Sequence, residues 1–433
     1  SRLFNKIPYF DENVEISQYP DIPNNEFTRD EILSMLAKEM LDAAEQLPAS
    51  QPEVGRIHKY IALAYAAKIK LYQAYQQDEI THAVTSINKE LLREVVSLCD
   101  QVTASNRYGL LDDFQGLDLV TNENGKESVF AIQYSMNDGT ESAGRINWSN
   151  LLNSPGGGSP YGGDGFFLPS QDLINAYQTD ANGLPDFNYQ SKSDYSWAVL
   201  NNGVYTLQNT TPNVDPRLDF VVGRPTITWK TYPDKPCEGW VRDKDTYGYN
   251  CAKRFWVSPE SSDMFNGWPW GASQLNWQII RYADILLWKA EALIELNEGN
   301  GLETARDLIN QIRNRARNSA YVKDFNDHSK YAANYLVNPY PADVWNQDYA
   351  RQALRWETRL EKALEGERFF DLVRWGIVET TMNKYITAES DNRIYYANAH
   401  FTGGKDEYYP VPNNQYGFSG GKYVQNPGYA PFN

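Results

Sequence analysis

The spacing of apolar side chains is most regular between residues 277 and 317, where it predicts two helices joined by a short turn. In the first half, apolar residues recur at three- and four-residue steps, which places them on one helix face. Residues 297–301 then supply the Asn and Gly that commonly end helices in the left-handed conformation. The second half repeats the pattern. We predict an antiparallel hairpin that needs neighbouring helices to bury both apolar faces.

The same periodicity predicts those neighbouring helices elsewhere in the chain. Thr28 and Glu31 form a capping-box pattern that opens a helix ending at Pro48. Further helices are expected over residues 57–76, 89–103 and 348–365. Helices separated by breaks, at a repeat of roughly 35 to 50 residues, indicate a TPR-like helical stack and not a parallel sheet.

Between residues 108 and 275 the pattern changes to repeated clusters of Gly, Pro, Asn and Asp. Such residues build turns, so we expect loops with few strands, one of them over residues 128–134, and a short helix over 168–177. Long irregular segments in ordered proteins are usually either functional or disordered. The many Trp and Tyr residues here argue against disorder, so the segment is predicted to carry function.

These patterns predict a mainly α protein with a TPR-like scaffold and a large loop-rich, strand-poor ligand-binding region. We assign an N-terminal arm and helical scaffold to residues 1–107, and the aromatic ligand-binding region to residues 108–275. Further TPR-like helices are expected over residues 276–376, followed by a C-terminal docking tail over residues 377–433.

Composition narrows the class of ligand. The chain of 433 residues contains 30 Tyr, 17 Phe and 12 Trp, and this excess suits a surface that grips flat apolar faces. A formal charge of −16 excludes a nucleic-acid partner, because phosphates require a basic surface. The charge also opposes electrostatic binding to anionic lipid. Neither a long apolar run nor a signal peptide is recognisable in the chain.

Motifs for catalysis and for metal binding are not recognisable. The three Cys and four His form no ligand pattern, although Cys237 and Cys251 could pair in an oxidising compartment. No cofactor is expected, and a structural calcium ion would require scattered oxygen ligands because no DxDxDG stretch is present. Carboxylates are abundant, but none lies in a catalytic motif, and the Gly-rich stretch 156–158 has no following Lys.

Several stretches, taken in order, resemble the SusD/RagB family of surface glycan-binding lipoproteins of Bacteroidetes-type bacteria. The matching stretches are Gly55-Arg56 with the following helix to Tyr72, DPRL at 215–218, RYADILL at 281–287, AEA at 290–292, NQIR at 310–313, RAR at 315–317, RLE at 359–361, EG at 365–366, RFFDL at 368–372, RWG at 374–376, YPVP at 409–412 and QNPGY at 425–429. Each stretch alone is weak evidence. Their shared order over nearly the whole chain makes the resemblance specific.

The resemblance implies a SusD-like fold and a non-catalytic receptor on the outer face of the outer membrane. Such a receptor would bind oligosaccharides or polysaccharides and deliver them to a SusC-like, TonB-dependent transporter for uptake. Family members begin with a signal peptide, a lipid-modified Cys and further helices, which this sequence lacks before residues 4–8. A lipid anchor is therefore expected outside this chain. A RagB-type peptide receptor and a glycan-degrading enzyme remain as alternatives.

Charged residues of the matching motifs have a structural interpretation. They are expected to form buried ion pairs and helix caps, and this group comprises Arg281, Glu291, Arg313, Glu361, Arg368, Asp371 and Arg374. Trp288 and Trp375 lie on apolar stripes and are expected in the core. The motifs thus define the scaffold and leave the ligand site to the irregular region.

A sugar ring offers an apolar face on which an aromatic ring stacks, and a rim of hydroxyls that polar groups bind. Aromatic candidates throughout the irregular region include Trp148, Tyr161, Trp197, Tyr249 and Trp256. The resemblance favours the segment before the RYAD motif, with the predicted ligand-binding residues Trp229, Tyr232, Trp240, Arg242, Asp243, Tyr247, Asn266, Trp268 and Trp270. Trp268 and Trp270 are the first choice, because Pro269 stiffens the backbone between their rings.

Overall fold

Helices dominate the structure, a computed structural model of the chain. It describes residues 2–432 with the exception of residues 142–143, 154, 157, 197, 202–203, 208–210, 232–238 and 249. The α-helices, numbered in chain order, are α1 Arg29–Gln46, α2 Lys59–Ala74, α3 Lys89–Ala104, α4 Gln171–Ala176, α5 Arg217–Val221, α6 Lys244–Tyr247, α7 Tyr282–Leu296, α8 Gly301–Asn318, α9 Gln347–Glu361, α10 Arg368–Arg374, α11 Val378–Glu389 and α12 Asn413–Phe418.

The long helices pack in series, α1 on α2, α2 on α3, α3 on α7, α7 on α8 and α8 on α9. Small side chains line α2, where Ala62, Ala64, Ala66 and Ala67 are all buried and let the neighbouring helices approach closely. Each helix buries an apolar face that it could not bury alone. The predicted TPR-like scaffold is confirmed.

Local sequence signals place the ends of these helices correctly. The Thr28 hydroxyl accepts a hydrogen bond from the Glu31 backbone N–H at 3.3 Å, and the Glu31 carboxylate accepts one from the Thr28 backbone N–H at 2.8 Å. This capping box begins α1. Asn297 ends α7 in the left-handed conformation at φ 51°, and α8 begins four residues later, so the predicted hairpin is confirmed.

One part of that prediction was wrong, because residues 277–281 form a strand and not the first turns of a helix. The strand Trp277–Arg281 pairs antiparallel with the strand Ser128–Ile132, which was predicted. Ile280 is buried in this strand. The aromatic and β-branched composition of the segment suits a pleated ladder once a partner strand is present.

Strands are short and occur as two-stranded ladders in the described parts of the chain. In chain order they are β1 Tyr75–Gln77, β2 Val84–Ile87, β3 Ser128–Ile132, β4 Ala198–Asn201, β5 Val204–Leu207, β6 Asn213–Val214, β7 Val222–Gly223, β8 Cys251–Ala252, β9 Trp277–Arg281 and β10 Asn334–Tyr335. The pairs β1–β2, β3–β9, β4–β5 and β7–β8 are antiparallel, and β6–β10 is parallel. Loops connect these ladders, as the turn-rich composition predicts.

A buried ion-pair network joins the loop-rich region to the helical scaffold. Glu361 of α9 accepts hydrogen bonds from Arg281 at 2.6 Å and from Arg217 at 3.1 Å, and it also pairs with Arg315. Arg281 in turn binds Glu127, next to β3, at 3.0 Å. All of these side chains are buried, so the expected structural role of the charged motif residues is confirmed for this cluster.

The C-terminal segment is held by contacts with the N-terminal arm. The backbone N–H of Tyr409 donates to the Leu3 carbonyl at 2.8 Å, and the Asn426 amide donates to the Phe4 carbonyl at 2.8 Å. Asn24 bonds to Val424 twice, because its side-chain amide donates to the Val424 carbonyl and its amide oxygen accepts from the Val424 backbone N–H.

The helix α11 was not predicted, because its sequence is polar and only weakly amphipathic.

Of the described residues, none lies in a helix that is both long enough and apolar enough to cross a membrane.

Candidate functional site

The two tryptophans of first choice lie at the tip of a loop that projects from the aromatic region. Backbone hydrogen bonds from Phe265 to Ala272 at 2.8 Å and from Gln274 to Asp263 at 3.0 Å close the base of this loop. Trp268 is 63% exposed and Trp270 is 53% exposed. Trp side chains are usually largely buried, so these exposed fractions are high. The loop therefore presents two large apolar surfaces to solvent.

A third exposed tryptophan lies beside them. The ring centres of Trp148 and Trp268 are 5.3 Å apart in an edge-to-face arrangement, and Trp148 is 40% exposed. The backbone N–H of Asn147 donates to the Ser273 carbonyl at 2.8 Å, which fastens the two segments together. We call Trp148, Trp268 and Trp270 the tryptophan face. Trp148 appeared among the aromatic candidates, but only the fold brings it to the predicted loop.

The ring of Trp270 lies on backbone, which fixes its orientation. A Cβ atom added at Gly162 would lie 3.1 Å from both Cβ and Cγ of Trp270, and Gly162 has a φ of +77°. Only glycine provides both this close approach and this backbone conformation without strain. The backbone of Gly162 thus lies directly beneath one ring of the tryptophan face.

Other exposed apolar side chains lie in the same loop-rich region and were not among the sequence candidates. Leu152 and Phe166 are exposed and lie together, since the Phe166 backbone N–H donates to the Leu152 carbonyl at 3.0 Å. Phe167 is exposed as well. Exposed apolar side chains that lie together commonly mark an interaction site. The signal available in the sequence was a Phe-Phe pair immediately after a Gly-rich turn.

Two of the predicted site residues lie in the interior. Trp229 is fully buried and Trp240 nearly so, together with Tyr161 and Trp256 in one aromatic cluster. The Trp229 indole N–H donates to the Tyr161 hydroxyl at 2.8 Å, and that hydroxyl donates to the Val257 carbonyl at 2.6 Å. With no ring face at the surface, Trp229 and Trp240 support the loops and are not part of the site that we propose.

The polar candidates Arg242, Asp243 and Asn266 are exposed. The Arg242 guanidinium lies 3.0 Å from the Asp164 carboxylate and donates to the carbonyl of Gly163, the residue after Gly162, at 3.2 Å. Asp243 caps α6 by accepting from the Thr246 backbone N–H at 3.2 Å. Arg242 and Asn266 therefore remain candidates for binding hydroxyl groups.

Tyr247 lies at a separate position. Its ring is 41% exposed, and its centre lies 5.9 Å from that of Tyr395 in the C-terminal segment. The predicted residue Tyr232 and the candidates Trp197 and Tyr249 lie outside the described residues. Of the predicted aromatic residues that the structure describes, only Trp268 and Trp270 lie together at the surface.

One carboxyl group near the loop has a shifted pKa. Burial raises the pKa of Glu123 to about 7, and the charge of Asp263 contributes to the same shift. Both carboxylates have partners, because Glu123 accepts from the Asn276 backbone N–H at 2.6 Å and Asp263 accepts from the Gln274 amide at 2.6 Å. These bonds hold the base of the loop, so we interpret Glu123 and Asp263 as structural residues.

Within the part of the chain that the structure describes, no three His, Cys, Asp or Glu side chains are grouped so as to hold a metal ion. Cys99 and Cys251 are buried free thiols, and Cys237 lies outside the described residues.

Fold and site together define a TPR-like helical protein that carries an exposed aromatic face on loops. The sequence profile described as the SusD family matches residues 126–429. The chain belongs to this family. A search of curated proteins found no match.

Solved structures of the same fold cover almost the whole chain. A SusD superfamily protein from Bacteroides vulgatus ATCC 8482 has a TM-score of 0.67 and 21% identity, over 99% of this chain and 74% of that protein. A laminarin-binding SusD-like protein has a TM-score of 0.60 and 20% identity, over 99% and 75%. Surface glycan-binding protein A from Bacteroides fluxus has a TM-score of 0.64 and 19% identity, over 99% and 74%.

Proposed function

We propose that this protein is a non-catalytic cell-surface receptor that binds oligosaccharides or polysaccharides through the tryptophan face. The observation that carries the proposal is the joint exposure of Trp268 and Trp270 on a closed loop and of Trp148 beside them. Family membership and the glycan-binding relatives support a carbohydrate ligand. Indole rings stack on the C–H face of a sugar, while Arg242 and Asn266 are available for its hydroxyl rim.

The expected affinity is weak. Stacking contributes about 0.5–1.5 kcal/mol per ring beyond burial, and hydrogen bonds contribute about 1 kcal/mol each. After the cost of association, roughly 4–6 kcal/mol remains, which corresponds to a dissociation constant on the order of 0.1–1 mM. Weak binding of this kind suits a receptor that captures a ligand and releases it again.

The role in uptake is a further part of the proposal. We infer that the full-length protein is lipid-anchored at the outer membrane and passes its ligand to a SusC-like, TonB-dependent transporter. The support is the family membership together with the broad, stiff surface that stacked helices offer to a partner. A peptide ligand and hydrolysis of the glycan are the outcomes that would replace this account.

Affinity electrophoresis against a panel of polysaccharides tests the proposal. We expect retardation by one class of glycan, with loss of retardation in Trp268→Ala and in Trp270→Ala. Phe418→Ala is the matched control, because Phe418 is 54% exposed but lies in the C-terminal helix α12. The assay is repeated with a chelator, and we expect no change because the described residues contain no group of three His, Cys, Asp or Glu side chains placed to hold a metal ion.

Three results would contradict the proposal. Retardation that survives both tryptophan substitutions would place the site elsewhere. Release of reducing ends from the glycan would replace the receptor with a hydrolase. Binding of peptides in place of every glycan tested would move the ligand class to polypeptide.

A further inference from the structure

Two exposed tyrosines lie together where the loop-rich region meets the C-terminal segment. Tyr247 of α6 is 41% exposed and Tyr395 is 48% exposed, and their ring centres are 5.9 Å apart at an interplanar angle of 43°. Aromatic rings that contact each other cover part of their own surface, yet both of these rings keep a large area open to solvent. We call Tyr247 and Tyr395 the tyrosine pair.

Buried groups fix the ring of Tyr395 in place. The Arg393 guanidinium donates to the Tyr395 hydroxyl at 3.1 Å, and Arg393 is itself buried. Tyr396 packs against the same ring, with the two ring centres 4.6 Å apart. Because these neighbours already restrict the side chain, a ligand that stacks on Tyr395 would cost it little conformational entropy.

One short segment connects the tyrosine pair with the tryptophan face. The segment begins at Gly162, which lies beneath Trp270, and ends at Pro169, whose carbonyl accepts from the Arg393 guanidinium at 2.7 Å. Seven residues of fully extended chain span at most about 25 Å. The two aromatic surfaces are therefore attached to the two ends of one segment that is no longer than this.

A second connection runs through Arg242. Its guanidinium donates to the Gly163 carbonyl at 3.2 Å, next to the glycine beneath Trp270. The following residue, Asp243, accepts with its backbone carbonyl from the Tyr247 N–H at 2.9 Å. Tyr247 thus lies one helical turn beyond Asp243. Both members of the tyrosine pair are positioned by residues that contact the segment under the tryptophan face.

Two aromatic surfaces at this separation suit a long ligand. A polysaccharide presents C–H faces repeatedly along its length, so a second stacking surface holds the same chain twice and raises its affinity. Between the two surfaces, the ion pair of Arg242 and Asp164 is partly exposed and offers polar groups to hydroxyls. A short oligosaccharide would reach one surface only.

We propose that the tyrosine pair is a second subsite of the glycan site, which makes long glycan chains the preferred ligand. One part of the chain stacks on Trp268 and Trp270, and a part further along stacks on Tyr247 and Tyr395. This inference rests on the proposed function, since the same glycan must occupy the tryptophan face.

Isothermal titration calorimetry with fragments of one glycan tests the proposal. The probes are made by partial hydrolysis of the polysaccharide that retards the protein in electrophoresis, and they are separated by length from the disaccharide upward. We expect the affinity to rise about fivefold once a fragment reaches both surfaces, which corresponds to about 1 kcal/mol of added stacking. Tyr247→Ala with Tyr395→Ala should abolish this rise and leave the affinity for short fragments unchanged.

Further variants make the test specific. Tyr247→Phe with Tyr395→Phe keeps both ring faces and should keep the rise in affinity with length. Tyr409→Ala is the matched control, because Tyr409 is 62% exposed but lies against Leu3 of the N-terminal arm, and it should also keep the rise. If the double Ala variant does not fold, Tyr247→Ala alone carries the test and should lower the affinity for long fragments about twofold.

Two results would overturn the subsite and leave the tryptophan face as the receptor site. One is equal affinity for short and long fragments, and the other is a rise with length that persists without the tyrosine rings. In both cases short fragments still bind and Trp268→Ala still weakens them. Failure of every fragment to bind would contradict the proposed function and the subsite together. Loss of the rise in Tyr409→Ala as well would show that the effect is not specific to the tyrosine pair and would also overturn the subsite.

Discussion

Arginine side chains occupy two environments in this fold, and the difference decides what each contributes. Arg281 is buried among Glu127, Glu361 and Glu365, so its charge is compensated within the chain. Arg368 is half-buried without a carboxylate partner among the described residues. Removing the first leaves buried carboxylates uncompensated, whereas removing the second leaves none.

Substitution of these two arginines by Met should therefore have different effects on stability. We expect Arg281→Met to lower the free energy of unfolding by about 3–5 kcal/mol, as for other broken buried ion pairs. Arg368→Met should change it by less than about 1 kcal/mol, or raise it, because no pair is lost. Urea denaturation of both variants measures the difference, and equal losses would contradict our assignment of the unpaired charge.

The pH dependence of stability follows from Glu361. Despite burial, which opposes ionisation, the charges of Arg315, Arg281 and Arg217 lower the pKa of Glu361 to about 2. The stabilisation from this carboxylate is thus complete above its ordinary pKa near 4.5 and is lost as the pH falls through about 2. The shift corresponds to about 3 kcal/mol.

We expect Glu361→Gln to be much less stable than the natural chain at pH 7, with the difference shrinking between pH 4.5 and pH 2. Thermal unfolding at a series of pH values measures this. Glu12→Gln is the control, because Glu12 is exposed in the N-terminal arm. A stability difference that stays constant down to pH 2 would show that Glu361 does not carry the linkage.

At the scale of elements, the helix ends can be tested directly. Thr28 and Glu31 bond reciprocally at the start of α1, so Thr28→Ala removes an acceptor and leaves the Glu31 N–H without that partner. We expect a loss of about 1 kcal/mol in the free energy of unfolding. Ser50→Ala is the matched control, since Ser50 is exposed in the following loop. A similar loss of unfolding free energy in both variants would contradict a stabilising role for the Thr28 cap.

Elements governed by local sequence could be predicted, and those that depend on distant partners could not. The hairpin α7–α8 and its Asn297 turn follow from periodicity and from a residue that tolerates positive φ. Residues 277–281 were assigned to a helix because the partner strand Ser128–Ile132 lies far away in sequence. A strand depends on its neighbour, and a single sequence does not display that neighbour.

The same limit applies to the candidate site. Trp229 and Trp268 both lie in turn-rich sequence, yet one is fully buried and the other is 63% exposed. The buried cluster around Tyr161 contains residues as far apart in sequence as Tyr161 and Trp256, and no local sequence pattern predicts this contact. Aromatic content could thus predict the region that carries the site, whereas only the fold distinguishes its surface rings from its supports.

At the scale of the whole molecule, the helical stack and the loop-rich region are fastened by the charged cluster at Glu361. The cluster includes groups from β9, α5, α8 and α9, so it holds the loops in a fixed relation to the scaffold. The tryptophan face is thereby carried by loops that are tied to the helical stack.

The measurement that tests the central claim most directly is an NMR titration of the chain labelled with ¹⁵N in its 12 Trp indoles. The indole signals are assigned by single Trp→Phe substitutions, and the glycan that retards the protein in electrophoresis is then added. We predict that the signals of Trp148, Trp268 and Trp270 shift, while those of buried Trp229 and Trp256 do not. Binding that shifts only the buried signals, or none of the three exposed ones, would contradict the account.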